Sequence, residues 1–227
     1  MDAVALWERM NHAPPALAKH QKRKDDLSMT LEPVDFRRNE RETVASLIYE
    51  ADPPFNEIVY GEKPRAIRRI AALLGKKDTF FAVSNLRCVC QGGKTIGILA
   101  GYELKDARRA EYAMGGAFLH AFGLFGFLCR IPTWLKMNHI LGGKMASTGY
   151  YVVYVCVSQS ERSRGIGKAI LDELMHDYDD VYLHVNADNA AAIRFYERIG
   201  FVKTFTGQGR IRGRQLSAHL MHRHGKR

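Results

Sequence analysis

Apolar and polar positions follow two periods along the chain, and the switches between them mark its elements. Residues 29–36 pattern as a strand. Glu40 to Glu50 puts Val44, Leu47 and Ile48 on one helical face, and Asp52-Pro53-Pro54 ends that helix, because residues before proline avoid helical geometry. A second helix is expected from Lys63 to Leu74, with Ile67, Ile70, Ala71 and Leu74 in phase and Gly75 as its stop. Strands follow at 79–86 and 95–103, and the second, TIGILAGYE, has glycines that let another backbone or a ligand come close. YYVVYVCV (150–157) is a β run rich in β-branched and aromatic residues. Ile166 to Tyr178 reads as helix, 181–185 as strand, Asn189 to Ile199 as helix, and 201–206 with 215–221 as a closing antiparallel pair. The pattern gives an N-terminal extension over 1–28, one α/β domain over 29–222 and a basic tail over 223–227.

Residues 104–148 interrupt this order. They contain eighteen consecutive uncharged residues, Tyr112 to Cys129, with Phe118, Phe122, Phe125 and Cys129 at helical spacing. A membrane span needs about 20 apolar residues, so length permits one. Four glycines weaken such a helix, and a span here would put strands of one sheet on opposite sides of a bilayer. The expectation is a buried or lid-forming hairpin, or a contact between two copies of the chain.

Composition adds bounds. At 227 residues, 46% apolar and 26% charged, the chain buries roughly 70% of its unfolded surface and needs no structural metal or disulfide. The net charge of +10 favours an anionic ligand. Cys88, Cys90, Cys129 and Cys156 form no CxxC pair and no His cluster completes a zinc set, so no metal is expected. Acids and an arginine stand in MDAVALWERM where a signal peptide would be apolar, which points to a reduced, cytoplasmic protein. From Lys203 to Arg227 there are seven Lys or Arg and no acid, but few aromatics for stacking, which argues against nucleic acid as the ligand.

The chemistry gathers at one strand-to-helix junction, Val155-Cys156-Val157-Ser158-Gln159-Ser160-Glu161-Arg162-Ser163-Arg164-Gly165-Ile166-Gly167-Lys168. Its glycines uncover backbone N–H groups, the first turn of the following helix has unpaired donors, and the helix dipole adds to both, making a seat for a phosphate or pyrophosphate. Arg162, Arg164 and Lys168 add positive charge. It is neither a P-loop, since Ala169 replaces the magnesium-binding hydroxyl, nor a dinucleotide fingerprint, since Ile170 stands where a third glycine belongs.

Arg162-Ser163-Arg164-Gly165-Ile166-Gly167 resembles the Arg/Gln-x-x-Gly-x-Gly/Ala acetyl-CoA motif of the GNAT superfamily of N-acetyltransferases. Asn189 to Phe201, NAAAIRFYERIGF, is similar to that superfamily's second motif, and the two occur in the expected order. The resemblance is clear over about 150–222, and the order of elements over 29–103 is consistent with it. It implies a mixed, mostly antiparallel sheet, flanked by helices and splayed after its fourth strand, with the pantetheine arm of acetyl-CoA in the split. Carried onto this chain, the strand around Val155, Cys156 and Val157 pairs with pantetheine and 162–168 holds the pyrophosphate. Asn189, with Ala192 one turn on, contacts pantetheine or positions the loop. Tyr196 matches the acid that protonates the leaving thiolate.

The base is less defined. Many relatives carry a glutamate on the fourth strand where Val153 stands here. Candidates are Glu103, Tyr154 or a water held between them, and the base is dispensable if the amine arrives neutral. His184 reads as a satisfied structural histidine, and Glu50 and Asp52 as loop carboxylates that could receive a cationic substrate. The implied activity is transfer of an acetyl or other acyl group from acetyl-CoA to a primary amine by direct attack in a ternary complex. The missing carboxylate keeps open a non-catalytic acyl-CoA sensor. The amine, and whether the chain pairs as a homodimer, are not written in the sequence.

Overall fold

The computed structural model describes residues 31–225, so the N-terminal extension, the first two residues of the expected strand at 29–36 and the last two residues of the tail lie outside it. Gly92 and Gly93, both left-handed at φ 56° and 77°, reverse the chain between β2 (Leu86–Gln91) and β3 (Lys94–Glu103) in a tight hairpin. With β1 (Leu31–Pro33), β4 (Tyr150–Val157), β5 (Asp180–Asn186), β6 (Val202–Ile211) and β7 (Arg214–His224), they form one seven-stranded sheet in the order β1-β2-β3-β4-β5-β7-β6. All neighbours are antiparallel except β4 and β5. That parallel pair needs a crossover, which α6 (Ile166–Asp177) supplies. Helix α7 (Ala190–Arg198) precedes the closing β6–β7 hairpin.

The β4–β5 ladder is short. Tyr150, Tyr151 and Val152 pair with Val181, Tyr182 and Leu183, and there the pairing stops although β4 continues to Val157 and β5 to Asn186. The sheet therefore splays after its fourth strand, as the resemblance implies. A second irregularity lies on the opposite edge of β4. Ala100 pairs with Tyr154 and Gly101 with Val152, which leaves Val153 as the extra residue of a β-bulge. Gly101 permits it, because a Cβ there would overlap the Tyr150 ring and the Tyr151 carbonyl.

Helices α1 (Arg41–Ala51), α2 (Pro53–Tyr60) and α3 (Lys63–Leu73) cover one face of β2–β4. Val44, Ile48, Ile70 and Leu73 pack there against Leu86, Ile98 and Tyr154. Ile48 and Ile70 are fully buried, and each contributes about 1.5–3 kcal/mol in apolar burial.

Three expectations need correction. Asp52-Pro53-Pro54 does end α1, but it also starts α2: the prolines occupy first-turn positions that need no N–H donor, and the Asp52 side chain accepts from Phe55 N at 3.2 Å. Residues 79–85 are not strand. The Thr79 hydroxyl donates to Lys76 O at 2.7 Å and accepts from Phe81 N at 3.1 Å, which closes a turn, and β2 begins only at Leu86. At the C-terminus β7 runs to His224, beyond the expected boundary at 222.

The interruption at 104–148 is a helical hairpin, α4 (Ala107–Leu128) and α5 (Ile131–Ile140), broken at Gly123 (φ 68°) and bent by 108° between its arms. Met114, Ala117, Phe122, Met137 and Ile140 on its inner side join the same core as α1–α3. Among the described residues no single helix is long and apolar enough to cross a membrane.

Candidate active site

Two cavities meet across β4. The smaller, about 120 Å³, lies in the splay between Val152–Val155 of β4 and Leu183–Asn186 of β5, and Asn189, Ala192 and Tyr196 of α7 close it. The larger, about 400 Å³, lies between β4 and the inserted hairpin and is walled by Tyr60, Phe81, Met114, Phe118, Trp134 and Met137. Phe55, Leu141, Tyr151, Val153, Tyr154 and His184 line both. The bulge brings adjacent side chains of β4 to this junction, where strict alternation would hide every second one.

The loop after β4 turns tightly into the helix that follows it. Ser163 and Gly165 are left-handed at φ 65° and 81°, and Gly165 is the N-cap of α6. A Cβ on Gly165 would meet open space, so backbone geometry and not crowding selects glycine there. Ile166 is buried and pins the first turn of α6, and Gly167 lies under the Phe195 ring. Arg162 Nε donates to Val157 O at 3.1 Å. Arg164 is held by Glu161 and Lys168 by Asp172, so both cations start paired with neighbouring carboxylates. Val155 faces the split, while Cys156 points into the core, where burial raises its thiol pKa. Asn189 caps α7 by accepting from Ala192 N at 3.0 Å, which orients the helix that carries Tyr196. Desolvation pushes the Tyr196 phenol upward, so it stays protonated at neutral pH.

The two residues expected as base, Glu103 and Tyr154, lie apart. Glu103 lines neither cavity; Lys105 pairs with it and Tyr178 donates to it at 3.3 Å, and the lysine holds its carboxyl below the usual range. Tyr154 is at the junction, donating to Asn56 Oδ1 at 3.2 Å, with the Tyr60 hydroxyl 3.5 Å away. Asn56 is itself fully buried and donates to the carbonyls of Ile48 and Tyr49, so the phenol sits on a fixed acceptor. Asp52 lines only the smaller cavity, where burial raises its carboxyl pKa. Glu50 stays outside both, on the rim beside Lys63 and Arg162.

Sequence reading passed over the contact at the centre. Tyr151 OH lies 2.7 Å from His184 Nδ1, and His184 Nε2 lies 3.1 Å from Gly142 O. A carbonyl only accepts, so Nε2 carries the proton and Nδ1 receives the phenol's hydrogen. Burial lowers the His184 pKa and keeps the ring neutral. The residues are far apart in sequence, and no local pattern joins them. Asn56 had a local signal, a polar residue among Phe55, Ile58 and Val59 on the apolar face of α2.

Among the described residues one cluster has metal-ligand character: Asp180 Oδ1 lies 2.7 Å from His222 Nε2 and 2.8 Å from His224 Nδ1. These hydrogen bonds hold the Asp180 carboxyl below its usual range, and the cluster lines neither cavity.

The architecture has counterparts. An N-acetyltransferase from Staphylococcus aureus Mu50 superposes with a TM-score of 0.59 at 16% identity, over 85% of this chain and 99% of that one. Another solved acetyltransferase gives 0.55 at 15% identity, over 87% and 100%. A GNAT-family acetyltransferase from Streptococcus agalactiae gives 0.51 at 12%, over 88% and 98%. At such identities the likeness is one of fold. No curated protein matches the chain in sequence. The family model for the acetyltransferase (GNAT) family matches residues 45–201, from α1 through the splay and the loop after β4 to just past the end of α7. The chain therefore belongs to the GNAT family of acetyltransferases, enzymes that transfer an acyl group from acyl-CoA to an acceptor.

Proposed function

We propose that the protein moves an acetyl group from acetyl-CoA to the primary amine of an acceptor whose body is apolar. The observation that carries this reading is the pair of cavities sharing six residues across β4. A thioester in the split and an amine in the aromatic chamber would meet at Tyr151, Tyr154 and His184. The chamber's aromatic and methionine walls favour an apolar amine over a polyhydroxylated one, since burying unmatched hydroxyls costs several kcal/mol, roughly 2–7 each.

In this reading the amine enters neutral and its nitrogen attacks the thioester carbonyl, forming C–N as C–S breaks. The nitrogen's surplus proton passes to Tyr151 as Tyr151 hands its own to His184 Nδ1. Tyr196, kept protonated by burial, donates to the departing sulfur. The loop at 162–168 and the unpaired edge of β4 from Val153 to Val157 bind and orient the donor. No metal enters any step.

The test is release of free CoA thiol from acetyl-CoA across a panel of arylalkyl, long-chain alkyl, amino-acid and aminoglycoside amines. Turnover confined to the first two groups supports the proposal, and turnover confined to the polar ones overturns its acceptor class. Val153, where the resemblance to the superfamily leads one to expect a glutamate, favours a second reading as an acyl-CoA sensor. Donor binding in calorimetry with no thiol release on any amine would select it.

A further inference from the structure

The outer side of the inserted hairpin is built unlike its inner side. Around the bend, Leu124 is 66% exposed, Phe125 81%, Leu128 52% and Leu135 66%, and none of them lines the acceptor chamber. Gly123, left-handed with no atom within 4 Å of where a Cβ would stand, breaks α4 just before this crest, and the 108° turn into α5 brings the apolar residues of both arms to one end of the hairpin. Side chains of this size are seldom left clustered in water unless something covers them.

Charge indicates what covers them. From Tyr112 to Ser160 the sequence contains no Asp or Glu, while it carries Arg130, Lys136 and Lys144. Beside the bend, the guanidinium carbons of Arg69 and Arg130 each lie 4.6 Å from the centroid of the Phe122 ring. Arg69 donates to Tyr60 O at 2.7 Å and Arg130 to Val59 O at 3.3 Å, which fixes both at the end of α2. Burial, and after it the like charges of Arg65, Arg68 and Arg212, lower the proton affinity of this pair. None of these five arginines makes an ion pair among the described residues. An uncompensated cationic cluster next to an acid-free apolar crest matches a surface that is anionic outside and hydrocarbon within. Leu124, Leu128 and Leu135 offer no stacking face to a nucleic acid.

We propose that the α4–α5 bend is a docking surface for an anionic lipid bilayer, with Leu124, Phe125, Leu128 and Leu135 entering the acyl boundary and the arginine cluster meeting the headgroups. The proposed contact is peripheral: among the described residues no single helix is long and apolar enough to span. It is independent of the acceptor and of turnover.

Flotation of the purified full chain with vesicles tests it. The parent is expected to float with phosphatidylcholine vesicles containing about 30% phosphatidylglycerol and to stay down with phosphatidylcholine alone. Phe125→Glu with Leu128→Glu should abolish flotation. Arg65→Gln with Arg68→Gln should weaken it roughly thirtyfold, at about 1 kcal/mol for each surface arginine. Raising salt to about 0.5 M should release the unmodified chain, which checks the electrostatic half without any substitution. A parent that ignores anionic vesicles overturns the proposal, as does flotation unaffected by all three changes. It is also overturned if light scattering finds a dimer that Phe125→Glu splits, because the crest then covers a second copy of the chain.

Discussion

Tyr151 donates its phenol hydrogen to His184 Nδ1 at 2.7 Å, and the backbone carbonyl of Gly142 fixes the opposite ring nitrogen at 3.1 Å. A strand residue, a neighbouring strand and the end of the inserted hairpin are thereby locked through one imidazole. This direction of the two bonds depends on a neutral ring, which burial favours over the imidazolium.

That dependence has a pH signature. Burial lowers the folded pKa of His184, so near pH 6.5 and below the unfolded chain takes up its proton first. The stability linked to the neutral ring is present above about pH 6.5 and is lost as pH falls towards the lower folded value. Urea midpoints measured from pH 7.5 down to about 5 should decline in the parent and decline less in His184→Gln. Equal declines in the two would remove His184 as the group responsible.

Tyr196→Phe keeps the ring and its contact with Phe201 but removes the proton. With a saturating apolar amine, kcat should fall by roughly 10²–10⁴-fold while the affinity for acetyl-CoA in calorimetry changes little. An unchanged kcat would return Tyr196 to the role of a packing aromatic.

Asn56 is fully buried and joins the Ile48 and Tyr49 carbonyls to the Tyr154 hydroxyl. Asn56→Ala takes a partner from three buried groups, of which the Tyr154 hydroxyl keeps Tyr60, and should cost roughly 3 kcal/mol in chemical denaturation. Tyr154→Phe removes the bond to Asn56 and the longer one to Tyr60 and should cost less, about 1–2 kcal/mol. If the order were reversed, the network would be centred on the tyrosine and not on the amide.

Gly207 lies where β6 passes beneath the C-terminal end of α5, and a Cβ there would overlap the Ile140 carbonyl oxygen. At an overpacking cost of about 2 kcal/mol, Gly207→Ala should lower the thermal midpoint by roughly 4–8 °C and raise the KM for the acceptor while leaving that for acetyl-CoA unchanged. Gly213→Ala is the control. It has positive φ but nothing within 4 Å, so only backbone strain of about 1 kcal/mol is expected there.

The parts that were legible are those whose physics is local. The β-branched run at 150–157 and the left-handed glycine before α6 each follow from a few adjacent residues, and the elements they build are present. The apolar pair Phe80-Phe81 suggested a strand because its neighbours are also apolar, yet a single hydroxyl, Thr79, turns the chain there. Two prolines read as a stop although they also serve a start. Tyr151 with His184 was out of reach for a different reason. Their meeting depends on a bulge at Val153 and on two strands that separate after three residue pairs, and neither property belongs to any one segment.

The short β4–β5 ladder leaves the sheet as two half-sheets joined by three residue pairs. The inserted hairpin braces them. Its first arm packs on α3 over one half, and its second rests on β6 in the other, where Gly142 and Gly143 lie against Phe205 and Leu220. The wall of the aromatic chamber, where the proposed function seats the acceptor, is thus also the truss between the half-sheets. Substitutions there that reshape the chamber for a new amine also loosen the joint between the halves, so a change of acceptor has to be won together with compensating stability elsewhere in the chain.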